Sequence, residues 1–132
     1  GLSVFEGIRC YQTPKGPAIF RLKDHMERLQ ESLKLLGVEE PPYDLKTTME
    51  SCKQVIQVNK LTEAYIRPLF YIKEGGWGLS LRDTSWDYSV AAWSWDSYHG
   101  EKSKKEGIKA IVSSITRNHI NVSLTKSSKP GT

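Results

Sequence analysis

The sequence predicts an α+β domain in which two helices cover one face of a mainly antiparallel sheet of about five strands. Three observations support this prediction. Apolar residues recur at helical spacing in two stretches, residues 26–36 and 45–56. Strand-like runs lie before and after these stretches, and turn residues such as Thr13-Pro-Lys-Gly-Pro17 separate the first two runs. A chain of 132 residues, 38% of them hydrophobic, is large enough to bury one such core.

The two helices have recognisable ends. In the first helix, Asp24 stands three residues before Glu27, a pattern typical of a helix N-cap, and Gly37 is expected to stop the helix. After Pro41-Pro42, Asp44 is predicted to cap the second helix, which should end near Asn59. Both helices therefore present an apolar face to the sheet.

The strands are predicted from alternation of apolar and polar residues. A β-hairpin is expected from the runs at residues 2–11 and 18–20, and three later strands are expected at residues 63–73, 86–95 and 107–116. Residues 1–117 would then form one domain. The polar residues 118–132 look like a connector that leads out of this domain.

Composition limits the classes of function. The net charge is +4, but 19 basic residues are interleaved with 15 acidic ones and cluster only at 102–105, so a nucleic-acid partner is not favoured. No apolar run approaches the length of a membrane span. The histidines have no metal-site spacing. Cys10 and Cys52 are expected to be free thiols, which fits a cytoplasmic location.

The stretch 63–72 is the strongest candidate for a functional strand. Period-two alternation places Tyr65 and Arg67 on one face, opposite an apolar face that includes Ile66 and Phe70. A guanidinium beside a phenol can bind a carboxylate or a phosphate in a fixed orientation. An ordinary arginine on the solvent face of a sheet is the alternative from this strand alone.

Other residues also have interpretations that depend on their position in the predicted elements. Gly7, inside a strand, indicates either a bulge or a close approach by another group. Arg28 is predicted to pair with Asp24 or Glu31 on the surface of its own helix. The aromatic residues at the end of the fourth predicted strand form either core or the wall of a pocket, and they are Trp93, Trp95 and Tyr98.

Four motifs together resemble the branched-chain amino acid aminotransferases, which are class IV (fold type IV) pyridoxal phosphate enzymes. The motifs occur in the order and at the spacing found in that family, and they are Val4-Phe-Glu-Gly-Ile-Arg-Cys-Tyr11, His25-Met-Glu-Arg-Leu29, Ala64-Tyr-Ile-Arg-Pro-Leu69 and Val112-Ser-Ser114. The resemblance covers nearly the whole chain. It implies amino transfer between leucine, isoleucine or valine and 2-oxoglutarate.

The resemblance also implies roles for individual residues. Arg28 would help to hold the phosphate of pyridoxal 5'-phosphate, Arg67 would bind the side-chain carboxylate of glutamate, and Tyr65 would face the substrate. The positions that line the pocket for branched side chains would be Phe5, Gly7, Trp95 and Tyr98. Residues 1–117 would be a small N-terminal domain, and residues 118–132 would lead toward a larger one. The cofactor would lie between the two domains, in a homo-oligomer that completes each site.

The catalytic lysine of that family should fall within one residue of Ser128. Lys129 is the nearest candidate and Lys126 the second, but Pro-Gly-Thr after Lys129 departs from the family pattern. The chain alone is therefore expected to be inactive and to lack bound cofactor. The alternative function is a non-catalytic α+β module that binds an acidic ligand or nucleic acid.

Overall fold

The computed structural model describes residues 2–75, 84–95 and 100–115. Its helices and strands follow one another along the chain as β1 (Ser3–Phe5), β2 (Ile8–Thr13), β3 (Gly16–Ile19), α1 (Leu22–Leu35), α2 (Leu45–Val58), β4 (Ala64–Glu74), β5 (Ser85–Trp93) and α3 (Gly100–Glu106). The five strands form one antiparallel sheet, in which β4 pairs with β1, β2 and β5 while β2 also pairs with β3. The predicted α+β class is confirmed.

The core lies between the sheet and the helices α1 and α2. Along β4, Ala64, Ile66 and Phe70 are completely buried, whereas Tyr65 and Arg67 lie on the opposite face and are half-buried. The predicted alternation of this strand is therefore confirmed. The side chains that pack against it include Val4, Ile8 and Cys10 from the sheet and Met26, Leu29, Leu33, Cys52 and Ile56 from the helices.

The run predicted as one strand at residues 2–11 is divided into β1 and β2 at Glu6-Gly7. The register against β4 is the same on both sides of the division, since Phe5 pairs with Leu69 and Ile8 pairs with Ile66. No extra residue is inserted, so the bulge interpretation of Gly7 is wrong. The Glu6 N–H still donates to the Pro68 carbonyl at 3.0 Å, but proline has no N–H to donate in return, which interrupts the ladder.

The end of α1 follows the prediction and its beginning does not. Gly37 has a φ of 86°, and the N–H groups of Gly37 and Val38 donate to the carbonyls of Lys34 and Leu33, which is a Schellman motif. The helix begins at Leu22, after Arg21 in the left-handed region, and Leu22 packs into the core. Asp24 therefore lies in the first turn, where it pairs with the Arg21 side chain instead of capping the helix.

Asp44 caps α2 as predicted, and its carboxylate accepts a hydrogen bond from the Thr47 N–H at 2.7 Å. Replacing Asp44 with alanine should lower the thermal unfolding temperature at neutral pH, because this N–H loses its acceptor. Hydrogen bonding from the Thr47 side chain, together with that from its N–H, lowers the pKa of Asp44. The stabilisation is therefore complete above the ordinary aspartate pKa of about 3.9 and is lost as the pH falls through the lower pKa of the folded state.

The measurement for this prediction is thermal unfolding of wild type and variant at a series of pH values, and the difference between them should shrink in acid. Asp24→Ala is the matched control, because that carboxylate pairs with an exposed arginine and should matter less. A difference for Asp44→Ala that stays constant with pH would contradict a role for the ionised carboxylate.

The prediction of a strand at residues 107–116 is wrong for residues 107–115, the part that the structure describes. These residues have no regular secondary structure. The short helix α3, which was not predicted from the sequence, precedes this segment. Apolar alternation favours a strand only when another strand edge is available for pairing, and none of the described strands pairs here. Ile111, Val112 and Ile115 are consequently 96%, 100% and 85% exposed.

Both cysteines are free and buried, as expected for small core residues. Burial raises the pKa of Cys52 to about 11, which keeps its thiol protonated and unreactive near neutral pH. Among the helices of the described ranges, none is long and apolar enough to cross a membrane. The predicted division at residues 117 and 118 lies outside the described residues.

Candidate active site

The sheet face that points away from α1 and α2 carries the polar and aromatic side chains predicted to bind the substrate, as far as the structure describes them. Tyr65 in β4 lies between two cross-strand partners, Arg9 in β2 and Trp93 in β5. Arg67 is two residues further along β4 and therefore projects from the same face. The alternation of β4 thus separates the core from a surface that can bind a ligand.

Gly7 lies directly against the Tyr65 ring. A Cβ atom added at Gly7 would overlap the Tyr65 hydroxyl oxygen and would be 2.8 Å from the ring carbon that carries it. No other residue type could stand at position 7 without displacing this ring. Of the two interpretations of Gly7, the close approach is confirmed, and it determines where the Tyr65 hydroxyl lies.

The Arg67 guanidinium is held among aromatic groups. Its Nη2 donates a hydrogen bond to the Tyr65 hydroxyl at 2.8 Å, and its Cζ lies 4.6 Å from the centre of the Phe5 ring and 5.1 Å from that of the Tyr65 ring. The buried Nε has no hydrogen-bond partner among the described residues. A half-buried guanidinium that retains unused donors is suited to bind a carboxylate.

Trp95 belongs to this site and is not a core residue. Its ring stacks on Tyr65 with a centroid distance of 4.8 Å, and Trp93 contacts the same tyrosine at 5.0 Å. The two tryptophans also contact each other at 5.9 Å. The tryptophans therefore pack on Tyr65, while the Phe5 ring contacts the Arg67 guanidinium. Tyr98, which was predicted to line the same pocket, lies outside the described residues.

Arg28 is on α1 and makes a contact that its helix alone did not predict. Its Nε and Nη2 donate to the two carboxylate oxygens of Glu6, each at 2.6 Å, so the prediction of a partner at Asp24 or Glu31 is wrong. Glu6 is completely buried, and His25 Nδ1 lies 2.9 Å from the same carboxylate. The hydrogen bonds to Glu6 raise the pKa of Arg28, which therefore stays charged.

The structure reveals two further residues that were not predicted to belong to the site, Glu6 and Arg9. Period-two alternation could have found Arg9, since it continues the face of Phe5 and Gly7 along the same run. Its Nε is buried without a hydrogen-bond partner in the part of the chain that the structure describes. Glu6 could have been noticed as a carboxylate inside an apolar run, although its partners on α1 are distant in sequence.

An apolar cavity of about 630 Å³ lies on the other side of the molecule, next to α2. Its lining includes Ile19, Leu22, Met49, Ile56 and Leu61, and it contains none of the predicted site residues. The face with Tyr65 and Arg67 is the better candidate for a reaction, because it combines oriented hydrogen-bond donors with aromatic walls.

The donors present are suited to anions and not to a metal. No group of three or more histidine, cysteine, aspartate or glutamate side chains within the described ranges could hold a metal ion. Arg28 retains an open edge that could bind a phosphate, and Arg67 retains unused donors for a carboxylate. Lys126, Ser128 and Lys129 lie outside the described residues.

The comparisons with known proteins agree with one another. Residues 3–127 match the family described as amino-transferase class IV. A branched-chain-amino-acid aminotransferase of Pseudomonas aeruginosa is 40% identical over 131 residues, which are 99% of this chain and 42% of that protein. The Escherichia coli K12 enzyme of the same name is 43% identical over 118 residues, or 89% of this chain and 38% of that protein.

Solved structures show the same relationship. The crystal structure of the E. coli branched-chain amino acid aminotransferase has a TM-score of 0.82 and 42% identity, covering 90% of this chain and 39% of that one. The T.th. enzyme in complex with N-(5'-phosphopyridoxyl)-L-glutamate has a TM-score of 0.66 and 44% identity, covering 70% of this chain and 31% of that one. This chain thus spans about two fifths of the length of the curated relatives. The match over residues 3–127 shows that the chain belongs to the class IV aminotransferase family.

Proposed function

We propose that this chain forms the N-terminal part of a pyridoxal phosphate-dependent branched-chain amino acid aminotransferase, which transfers the amino group between leucine, isoleucine or valine and 2-oxoglutarate. The observation that carries the proposal is the position of Arg67, whose guanidinium is bonded to Tyr65 and lies over the Phe5 ring. The alternative of a non-catalytic binding module has no support, because the relatives reported above are named as aminotransferases.

The two substrate classes place different demands on one pocket. Glutamate and 2-oxoglutarate bring a second carboxylate, which Arg67 can bind by charge-assisted hydrogen bonds. Leucine, isoleucine and valine bring apolar side chains, for which Phe5, Trp95 and Tyr98 supply aromatic surface. Gly7 leaves room for Tyr65, so the tyrosine hydroxyl can hold Arg67 at one side of the pocket.

The cofactor would be pyridoxal 5'-phosphate, which supplies the electron sink needed for amino transfer when it is bound. Arg28 is the residue of this chain that would hold its phosphate, because it is charged, half-exposed and already oriented. Two structures of the T.th. relative contain N-(5'-phosphopyridoxyl)-L-glutamate and pyridoxamine 5'-phosphate. For the lysine that binds the cofactor covalently, Lys129 is our first candidate and Lys126 our second.

The complete protein would contain a further, larger domain. In this proposal residues 1–117 form the small domain and residues 118–132 connect it to that domain. The apolar side chains of Ile111, Val112 and Ile115 support this arrangement, since all three are exposed in one short segment and the larger domain would cover them. A homo-oligomer would complete the site, and the free thiols fit the cytoplasm.

Cofactor titration tests the proposal. The complete polypeptide that contains this chain should bind pyridoxal 5'-phosphate and show an absorption band that shifts when glutamate is added. The 132-residue chain alone should show no specific attachment of the cofactor to Lys126 or Lys129, because a reactive lysine needs a lowered pKa and a dry site that the larger domain would supply.

The measurement on the short chain is borohydride reduction in the presence of the cofactor, followed by peptide mass mapping. Scattered or absent labelling is the expected outcome. Specific labelling of Lys129 would overturn the expectation that the short chain is inactive. Failure of the complete polypeptide to bind the cofactor would overturn the proposed function, and salt-dependent binding of oligonucleotides would favour the alternative module.

A further inference from the structure

Glu6 is a completely buried carboxylate at the division between β1 and β2. A buried charge is costly unless it is paired and hydrogen-bonded. Here the carboxylate contacts Arg28 through both of its oxygens and also lies 2.9 Å from His25 Nδ1. The three side chains join the edge of the sheet to helix α1, although Glu6 and Arg28 are 22 residues apart in sequence.

The geometry of this contact leaves a defined part of Arg28 available. Glu6 occupies the side of the guanidinium formed by Nε and Nη2, whereas Nη1 makes no hydrogen bond within the described ranges. The Arg28 side chain is 55% exposed, while Glu6 is 0% exposed. The guanidinium therefore lies between the buried carboxylate and the solvent, and its open edge faces a position that an incoming anion can reach.

A bidentate contact fixes the plane of a guanidinium as well as its position. An exposed arginine without such a partner loses several rotatable bonds when it binds a ligand, and this loss weakens binding. Glu6 removes most of that freedom before the ligand arrives. Its own negative charge does not face the anion directly, because the Arg28 guanidinium lies between them.

Glu6 also connects Arg28 to the substrate side of the sheet. Its backbone N–H donates to the Pro68 carbonyl in β4, next to Arg67, and the following residue is Gly7, which packs against Tyr65. One short segment thus sets both the orientation of Arg28 and the space for the Tyr65 ring. We propose that Glu6 is a positioning residue, which holds Arg28 with its open edge directed at the cofactor phosphate; this inference rests on the proposed function.

The test compares pyridoxal 5'-phosphate with pyridoxal, which lacks the phosphate, as ligands of the complete polypeptide. Wild type should bind the phosphorylated form more tightly, and Glu6→Gln should reduce this preference by roughly tenfold or more, since one charge-assisted hydrogen-bond pair is lost. The dissociation constant for pyridoxal should stay nearly unchanged. Binding is measured by absorbance and needs no catalytic turnover.

Glu27→Gln is the matched control. It makes the same chemical change on α1 at an exposed side chain that pairs with Lys23, and it should leave the preference as in wild type. Equal weakening of both ligands by Glu6→Gln would show a general structural role and overturn the inference, as would an unchanged preference. If wild type itself shows no preference for the phosphorylated form, the proposed role of Arg28 fails instead.

A second measurement covers the case in which Glu6→Gln does not fold. In wild type with isotope-labelled arginine, the Arg28 Nε–H should exchange slowly with solvent before any cofactor is added, because it is bonded to the buried Glu6. The Nε–H of exposed Arg21 serves as the reference within the same spectrum, since its carboxylate partner is also exposed. Exchange of the Arg28 Nε–H as fast as that of Arg21 would overturn the inference.

Discussion

Replacing Gly7 with alanine is expected to lower kcat/KM of the complete enzyme by about 100-fold for both glutamate and leucine while the domain remains folded. The new Cβ would overlap the Tyr65 hydroxyl oxygen, so the tyrosine must move. The ring is packed against Trp93 and Trp95, and its hydroxyl bonds to Arg67, so any displacement disturbs the whole pocket. Steady-state kinetics with each substrate measure the effect.

Gly37→Ala is the control that separates pocket geometry from stability. Gly37 has a φ of 86°, where alanine is strained, but none of the described residues lies within 4 Å of the added Cβ. This variant should lose about 1 kcal/mol of unfolding free energy and keep its kcat/KM. A Gly7→Ala enzyme with unchanged kinetics would show that Tyr65 can move without consequence, and it would remove the geometric basis of the pocket.

The sequence predicted those features that depend on neighbouring residues. The helix stop at Gly37, the cap at Asp44 and the two faces of β4 follow from local backbone geometry and periodicity, and all were confirmed. The start of α1 was not, because burial of Leu22 extends the helix beyond the local capping pattern at Asp24. Tertiary packing decided this boundary.

Contacts between distant residues were beyond the sequence patterns. Arg28 lies about one helical turn from acidic residues on its own helix, and this spacing predicts a surface ion pair. The fold instead brings Arg28 to the buried Glu6. Period-two alternation places Glu6 on the core face with Val4 and Ile8, but it does not show which residues pair with the carboxylate. Residues 107–115 show the reverse error, because their apolar pattern predicts a strand whose pairing partner is not among the described strands.

The candidate site was predicted partly from residues and partly from resemblance. Alternation placed Tyr65 and Arg67 on one face, which the structure confirms, and their side chains also share a hydrogen bond. The assignment of Arg67 to a glutamate carboxylate came from the family motifs and remains a prediction. Its physical basis is now more specific, because the guanidinium lies over Phe5 and has a buried Nε without a described partner.

Arg67→Ala in the complete enzyme is expected to weaken kcat/KM for glutamate by roughly 1.5–3 kcal/mol, about 10- to 150-fold, and to affect leucine much less. The reason is that glutamate loses a charge-assisted contact to its second carboxylate, whereas leucine has no such group. Arg21→Ala is the matched control, because that arginine is exposed and pairs with Asp24 at the start of α1, so both substrates should react as in wild type. Steady-state kinetics with the two amino acids give the ratio directly. An equal loss for glutamate and leucine would mean that Arg67 acts mainly by supporting Tyr65 and Phe5, and that another residue recognises the second carboxylate.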